Sequence, residues 1–229
     1  MSFDPAQVET VTFDSYSTIV DVASAVAAIS DHVEDPEMAA SHWRAHSLMY
    51  TMVANEIDEY EPFYEMNRHA ATNALETFGE FEDGVDEDTR DEVTSVYHDL
   101  HVFEDVREGM ERLASEYDLY VVSNGNPEML ATMVEKADVG DLLEDTISAD
   151  EVETFKPHPE IYRHAAGRTG TPIENIAHVS AGWFDVHGSK SAGMQAVWVN
   201  RDGGPFVTYG PQPDLEVSSF LDFADELGV

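Results

Sequence analysis

Short apolar runs alternate with longer stretches of helical spacing along most of this chain. Residues 8–13 set Val11 and Phe13 between threonines, the two-residue period of a strand. Leu119-Tyr120-Val121-Val122 is a continuous apolar run, as suits a strand buried inside a parallel sheet. Residues 146–147, 176–179 and 196–199 complete five predicted strands. Residues 106–116, 127–137, 159–168, 186–192 and 219–227 have helical spacing. This alternation predicts an α/β protein with a doubly wound parallel sheet, a Rossmann-like core.

Residues 14–118 separate the first predicted strand from the second, far more than one crossover helix needs. Within that gap, residues 22–33, 36–59, 62–78 and 86–100 have helical spacing and few strand formers. The pattern predicts an all-helical cap over residues 21–100, inserted into a core made of 1–20 and 101–229. A helical lid over the strand ends would close a pocket and expel water from it. No internal repeat and no low-complexity linker interrupts the chain.

Composition narrows the function classes. The hydrophobic fraction of 42%, with 11 Phe, 9 Tyr and 3 Trp, is that of a folded protein with a real core. No apolar run approaches the length of a membrane span and no charged-then-apolar leader is visible, so neither a span nor a signal peptide is expected. The absence of Cys excludes disulfides, thiolate catalysis and cysteine zinc sites. A balance of 47 acids against 11 bases, net −36, makes nucleic acid and anionic lipid poor partners. The acids are spread along the chain, densest over residues 80–92, as on a solvated surface. In about 1 M salt the screening length falls to roughly 3 Å, so the charge suits the salt-rich cytoplasm of a halophile. Only Lys136, Lys156 and Lys190 occur, which fits that setting and gives each lysine added weight.

Candidate chemistry lies at the predicted strand ends, where parallel sheets bind ligands. Asp14 follows the first strand, Ser123-Asn124-Gly125 ends the second, and Ser180-Ala181-Gly182-Trp183-Phe184-Asp185 closes the fourth. Lys156-Pro157 lies between the last two. A carboxylate, a lysine, a Ser/Asn pair and a second carboxylate are the parts of a covalent hydrolase. In such an enzyme a carboxylate can attack carbon and leave an ester. A cation within about 4–6 Å keeps it ionised. Backbone N–H groups at a helix start hold an anion. Each residue also has a plainer reading. Asp14 and Asp185 could cap helices, Ser-Asn-Gly-Asn-Pro is an ordinary turn, and Lys156 could be a turn lysine. His42 and His46 stand four apart, but without a third ligand they make no zinc site, and no metal is expected.

In order and spacing, Phe13-Asp14-Ser15-Tyr16-Ser17-Thr18, Trp43-Arg44, Leu48-Met49-Tyr50-Thr51, Val122-Ser123-Asn124-Gly125, Lys156-Pro157 with Tyr162, Val179-Ser180 with Asp185, and Trp198-Val199-Asn200-Arg201 resemble the L-2-haloacid dehalogenases of the haloacid dehalogenase superfamily. The likeness runs from about Val11 to Ser219. It implies Asp14 as nucleophile with Lys156 beside it, and Arg44 from the cap over the halide or carboxylate. It implies Ser123 and Asn124 at the carboxylate and halide, and Phe63 lining the halide side. Thr18, Tyr16 and Tyr162 would surround the nucleophile and the carboxylate, with Ser180 and Asp185 positioning or activating the hydrolytic water. A surface salt bridge for Arg44 and a core role for Phe63 compete with these assignments.

Two departures stand out. Gly182 occupies a place where the family usually has Asn, and Tyr16-Ser17-Thr18 replaces its Tyr-Gly-Thr. The resemblance implies hydrolysis of short 2-haloalkanoic acids to 2-hydroxy acids through an aspartyl ester, with no cofactor. Its partners are a halocarboxylate and water, and it allows a homodimer. A superfamily phosphatase is the rival enzyme, but it needs a second Asp where Tyr16 stands. A small-carboxylate-binding descendant with impaired turnover is the rival that Gly182 raises.

Overall fold

Six parallel strands form the centre of the protein in a computed structural model that describes residues 3–229. The chain opens with β1 (Thr10–Phe13) and β2 (Val20–Asp21), then runs through α1 (Val26–Ile29), α2 (Pro36–Ile57), α3 (Phe63–Phe78) and α4 (Glu87–Thr94). It returns with β3 (His101–Val102), α5 (Val106–Leu113), β4 (Asp118–Ser123), α6 (Pro127–Ala137), β5 (Asp145–Ser148) and α7 (Pro159–Thr169). It ends with β6 (Ile176–Ser180), α8 (Trp183–Ala192), β7 (Gln195–Val199), β8 (Leu215–Val217) and α9 (Phe220–Leu227).

The sheet order is β5-β4-β1-β6-β7-β8, and each neighbouring pair is parallel. From β1 the chain builds outward through β4 and β5, then crosses to the other side of β1 for β6, β7 and β8. That reversal puts the carboxyl end of β1 at the switch point, where a doubly wound sheet opens a crevice. All four residues of β1 are buried, and the Phe13 ring packs against Phe220 with centroids 4.8 Å apart.

Between β1 and β4 the helices α2 and α3 pack on each other. Trp43, fully buried, donates its indole N–H to the Asn67 carbonyl at 2.9 Å. Asp35 caps α2 by accepting the Met38 N–H, with Pro36 in the first helical turn, where its missing donor costs nothing. The pair β2 and β3 is antiparallel, Val20 opposite Val102 and Asp21 opposite His101. The helical excursion therefore leaves and rejoins the sheet at one place. Among the described residues no helix is long and apolar enough to cross a membrane.

The α/β expectation stands, with local differences. The first strand starts at Thr10, and β8, β2 and β3 were not predicted, because two or three residues show no readable period. Residues 22–33, predicted as a helix, form a 3-10 turn over Val22–Ala25 and the single turn α1. There the Asp21 carboxylate accepts the Ala23 N–H and tightens the start. Residues 86–100 form α4 and then a 3-10 turn, as the β-branched run Val93, Thr94 and Val96 favours helix weakly. The helix predicted over 186–192 begins at Trp183, with Gly182 at its cap position, so Asp185 lies inside it and caps nothing.

Candidate active site

The backbone ladder runs one residue past β1, where Asp14 donates its N–H to the Val179 carbonyl at 2.9 Å. The chain then turns away through Ser17, which has a φ of 70°. The Asp14 side chain is thereby fixed at the sheet's carboxyl edge. Its Oδ1 faces the Lys156 ammonium at 3.1 Å and its Oδ2 accepts the Thr18 hydroxyl at 2.9 Å. Thr18 has only that one proton, so it accepts the Ala181 N–H at 3.0 Å. Arg201 holds the same turn by donating to the Thr18 carbonyl at 2.9 Å.

Lys156 is buried and its ammonium bridges two carboxylates, with Asp185 Oδ2 at 2.8 Å. Burial alone would lower the lysine's pKa, but the charges of Asp14 and Asp185 outweigh it and raise the value. For Asp185, burial pushes up, while the His178 and Lys156 charges pull harder and hold the carboxyl below the usual range. The remaining Asp185 oxygen accepts the Tyr162 hydroxyl at 2.6 Å, and His178 Nε2 lies 3.0 Å from Oδ2. Burial and the Asp185 charge raise Tyr162 well above its ordinary value, so the phenol keeps the proton it donates.

The loop carrying Lys156 is clamped on both sides. Asn124 Oδ1 accepts the Lys156 backbone N–H at 2.8 Å. An N–H can only donate, so the atom facing it must be oxygen, which turns the Asn124 NH2 the other way. From α2, Asn55 both accepts the Phe155 N–H and donates to the Phe155 carbonyl, each at 2.9 Å.

Gly188 on α8 lets this loop and Tyr162 come close. A Cβ there would strike the Tyr162 hydroxyl, and would lie 2.8 Å from both Pro157 Cβ and the Pro157 carbonyl. Gly188→Ala is expected to cost about 1–3 kcal/mol of stability by overpacking and to lower activity by displacing Tyr162 from Asp185. A melting curve and a rate assay check both; an unchanged melting temperature would contradict the packing argument.

Above Asp14 is a small cavity of about 40 Å³, lined by Asp14, Tyr16, Ser17, Lys156, Asn124 and Gly182 from the sheet side. Arg44, Phe63, Leu48 and Tyr97 line it from the helices. Every lysine and arginine except Arg44 and Arg163 has an ion pair among the described residues. Arg44 is exposed, and a guanidinium without an ion pair at a cavity wall has the geometry to receive an anion. Burial pushes the Tyr97 phenol up to about 12 against the opposing Arg44 charge, so the phenol keeps its proton. Among the described residues no three His, Asp or Glu side chains gather in a metal-binding arrangement.

A family model described as haloacid dehalogenase-like hydrolase matches residues 8–193. The chain belongs to the haloacid dehalogenase-like hydrolases. It is 33% identical over 195 residues to (S)-2-haloacid dehalogenase 4A of Burkholderia cepacia, covering 84% of this chain and 83% of that protein. It is similar to a dehalogenase crystallised as an intermediate complex, with TM-score 0.89, 30% identity, and 97% and 98% of the two chains covered. The L-2-haloacid dehalogenase from Xanthobacter autotrophicus with chloropropionic acid covalently bound matches with TM-score 0.88 at 25% identity, over 96% of this chain and 98% of that one.

In this haloacid dehalogenase-like hydrolase, Asp14, Lys156, Arg44, Tyr16, Asn124 and Phe63 share the cavity, and Thr18 stands behind Asp14. Besides Thr18, four expected residues do not line it. Ser123 is buried with its hydroxyl bound to Ser15 at 2.6 Å and to the Gly125 N–H at 2.9 Å, so it has turned away from any carboxylate in the cavity. Ser180 accepts the Gly182 N–H at 3.1 Å from a buried position. Tyr162 faces Asp185, not the cavity, and Asp185 has both oxygens engaged out of reach of water. Sequence reasoning missed Tyr97, Phe184, Asn55 and His178. The one available signal was His178, a histidine in the apolar run Ile176-Ala177-His178-Val179.

Proposed function

We propose that this enzyme hydrolyses short (S)-2-haloalkanoic acids, with Asp14 as nucleophile. The observation that carries the reading is the Lys156 ammonium 3.1 Å from Asp14 Oδ1 at the wall of a small cavity, with Arg44, which has no ion pair among the described residues, lining it from the helices. Asp14 attacks the halogen-bearing carbon from behind; a C–O bond forms, the C–halogen bond breaks, and its electron pair leaves with the halide. Water then adds to the ester carbonyl, releases the 2-hydroxy acid with inverted configuration and one proton, and restores the Asp14 carboxylate. Arg44 and the Asn124 NH2 receive the substrate carboxylate and the departing halide. Phe63, Leu48 and Phe184 give the cavity apolar walls, which strengthens each charge interaction in it. Thr18 orients the nucleophile. With its oxygens taken, Asp185 holds Lys156 in place and is not the general base, and Ser123, Ser180 and Tyr162 act on the geometry from behind.

The test is halide release from (S)-2-chloropropionate with formation of (R)-lactate, and p-nitrophenyl phosphate with Mg²⁺ as control. Phosphatase turnover without halide release would overturn the reading. Tyr16 at the position of the phosphatases' second Asp argues against that result.

Gly182 supports a second reading, in which the ester forms and persists. A Cβ at Gly182 would lie 3.1 Å and 3.3 Å from the Phe184 ring, so that ring fills the space a water-holding side chain would use. A stable mass increase on the Asp14 peptide after mixing with substrate would favour it over turnover.

The division into a core (1–20 and 101–229) and a cap (21–100) is supported by the β2–β3 pair at the place of exit and return. A homodimer is supported by Met49, Val53 and Ile57, exposed at four-residue spacing on α2, and a monomer mass by light scattering would exclude it. Function in a salt-rich cytoplasm is supported by the net charge of −36. The melting temperature and rate are expected to rise between about 0.1 and 2 M KCl as self-repulsion is screened. Equal stability and activity without salt would sink that proposal.

A further inference from the structure

His178 lies in the middle of β6, fully buried, and touches no part of the cavity. It is the register partner of Thr12 on β1, so the two side chains leave the sheet on the same face. Its Nδ1 lies 2.8 Å from Thr12 Oγ1 and its Nε2 lies 3.0 Å from Asp185 Oδ2. From α7, the Tyr162 ring packs edge-on at 5.7 Å. Thr12, Tyr162 and Asp185 are therefore the polar groups that face it, with Lys156 beyond Asp185. An apolar side chain would fill this place with no polar group to satisfy, so the imidazole costs burial that packing does not require.

Asp185 Oδ2 connects His178 to the reaction, because it accepts from both His178 Nε2 at 3.0 Å and Lys156 Nζ at 2.8 Å. An oxygen shared by two donors attracts each less than it would attract one alone. The other contact of Lys156 is Asp14 Oδ1 at 3.1 Å, the longer of its two. Without His178, the whole charge of Asp185 Oδ2 would act on the ammonium and draw it from Asp14.

We propose that His178 is a positioning residue for the nucleophile: it anchors Asp185 and takes up part of its charge, so that Lys156 stays engaged with Asp14. This rests on the dehalogenase reading above. The role is exerted through Asp185 and Lys156, with no contact to substrate, so it governs the rate of alkylation and leaves substrate binding alone.

The experiment compares wild type, His178→Phe and His178→Gln for halide release and melting temperature. Phe fills the imidazole's volume without a donor, and Gln carries an NH2 able to reach Asp185. The Phe variant is expected to lose about tenfold or more in kcat, with KM within about twofold, as removal of a bond to a charged group implies. The Gln variant is expected within about threefold of wild type. A folded Phe variant with wild-type kcat overturns the proposal, and so does equal loss in both variants. If the Phe variant does not fold, Thr12→Val decides: lower kcat at unchanged KM supports the role, and unchanged kcat removes it. Wild-type protein that releases no halide removes the dehalogenase reading and this role together. An active wild type with an unaffected Phe variant removes this role alone.

Discussion

Asp14→Asn is expected to lower halide release from 2-chloropropionate by about three orders of magnitude or more, and to abolish the mass increase on the Asp14 peptide. The substitution keeps the shape and leaves Thr18 and Lys156 with an amide to bind. Folding should therefore survive while attack at carbon does not. An amide oxygen carries too little charge to displace a halide, and the Lys156 ammonium beside it would suppress what remains. A variant that keeps a tenth of the wild-type rate would show that another group attacks, and the assignment of Asp14 would fall.

Lys156→Met is expected to stop turnover and to destabilise the fold by about 3–5 kcal/mol, the usual cost of stripping one partner from a buried ionic cluster. Two carboxylates share this ammonium, and one of them, Asp185, has no access to water. The pH dependence should shift with the substitution. In the native protein Asp185 is depressed below the ordinary carboxylate range, so its contribution is fully present above about pH 4 and fades only as pH falls further. In the variant His178 alone opposes burial, so the carboxyl is held less far down and its contribution fades at a higher pH than in the native protein. Melting temperatures at about pH 4 and pH 8 check this, and a loss equal at both would contradict it.

The sheet was legible because Val11, Phe13 and the run 119–122 announce their own periods, and the long gap after β1 announces an insertion. Asp14 and Lys156 were legible for a related reason, since strand ends and a scarce residue type both narrow the choice. What was hidden is direction. Ser123 and Ser180 stand at the expected strand ends, yet their hydroxyls satisfy neighbouring backbone N–H groups because a buried hydroxyl takes the nearest donor. Tyr162 and Asp185 were placed near the chemistry, but no pattern along the chain tells that they face each other. Asn55 reaches Phe155 across a separation of 100 residues, and the apolar run around His178 signals its burial but not its partners.

The two hydrogen bonds from Asn55 to the Phe155 peptide tie the roof to the reacting floor. A shift of α2 that carried Asn55 away would break both, and the peptide it would release adjoins the residue bearing the ammonium. A displacement of the helix at Asn55 would therefore be felt by the loop that carries Lys156, which Asn124 would then hold from one side alone.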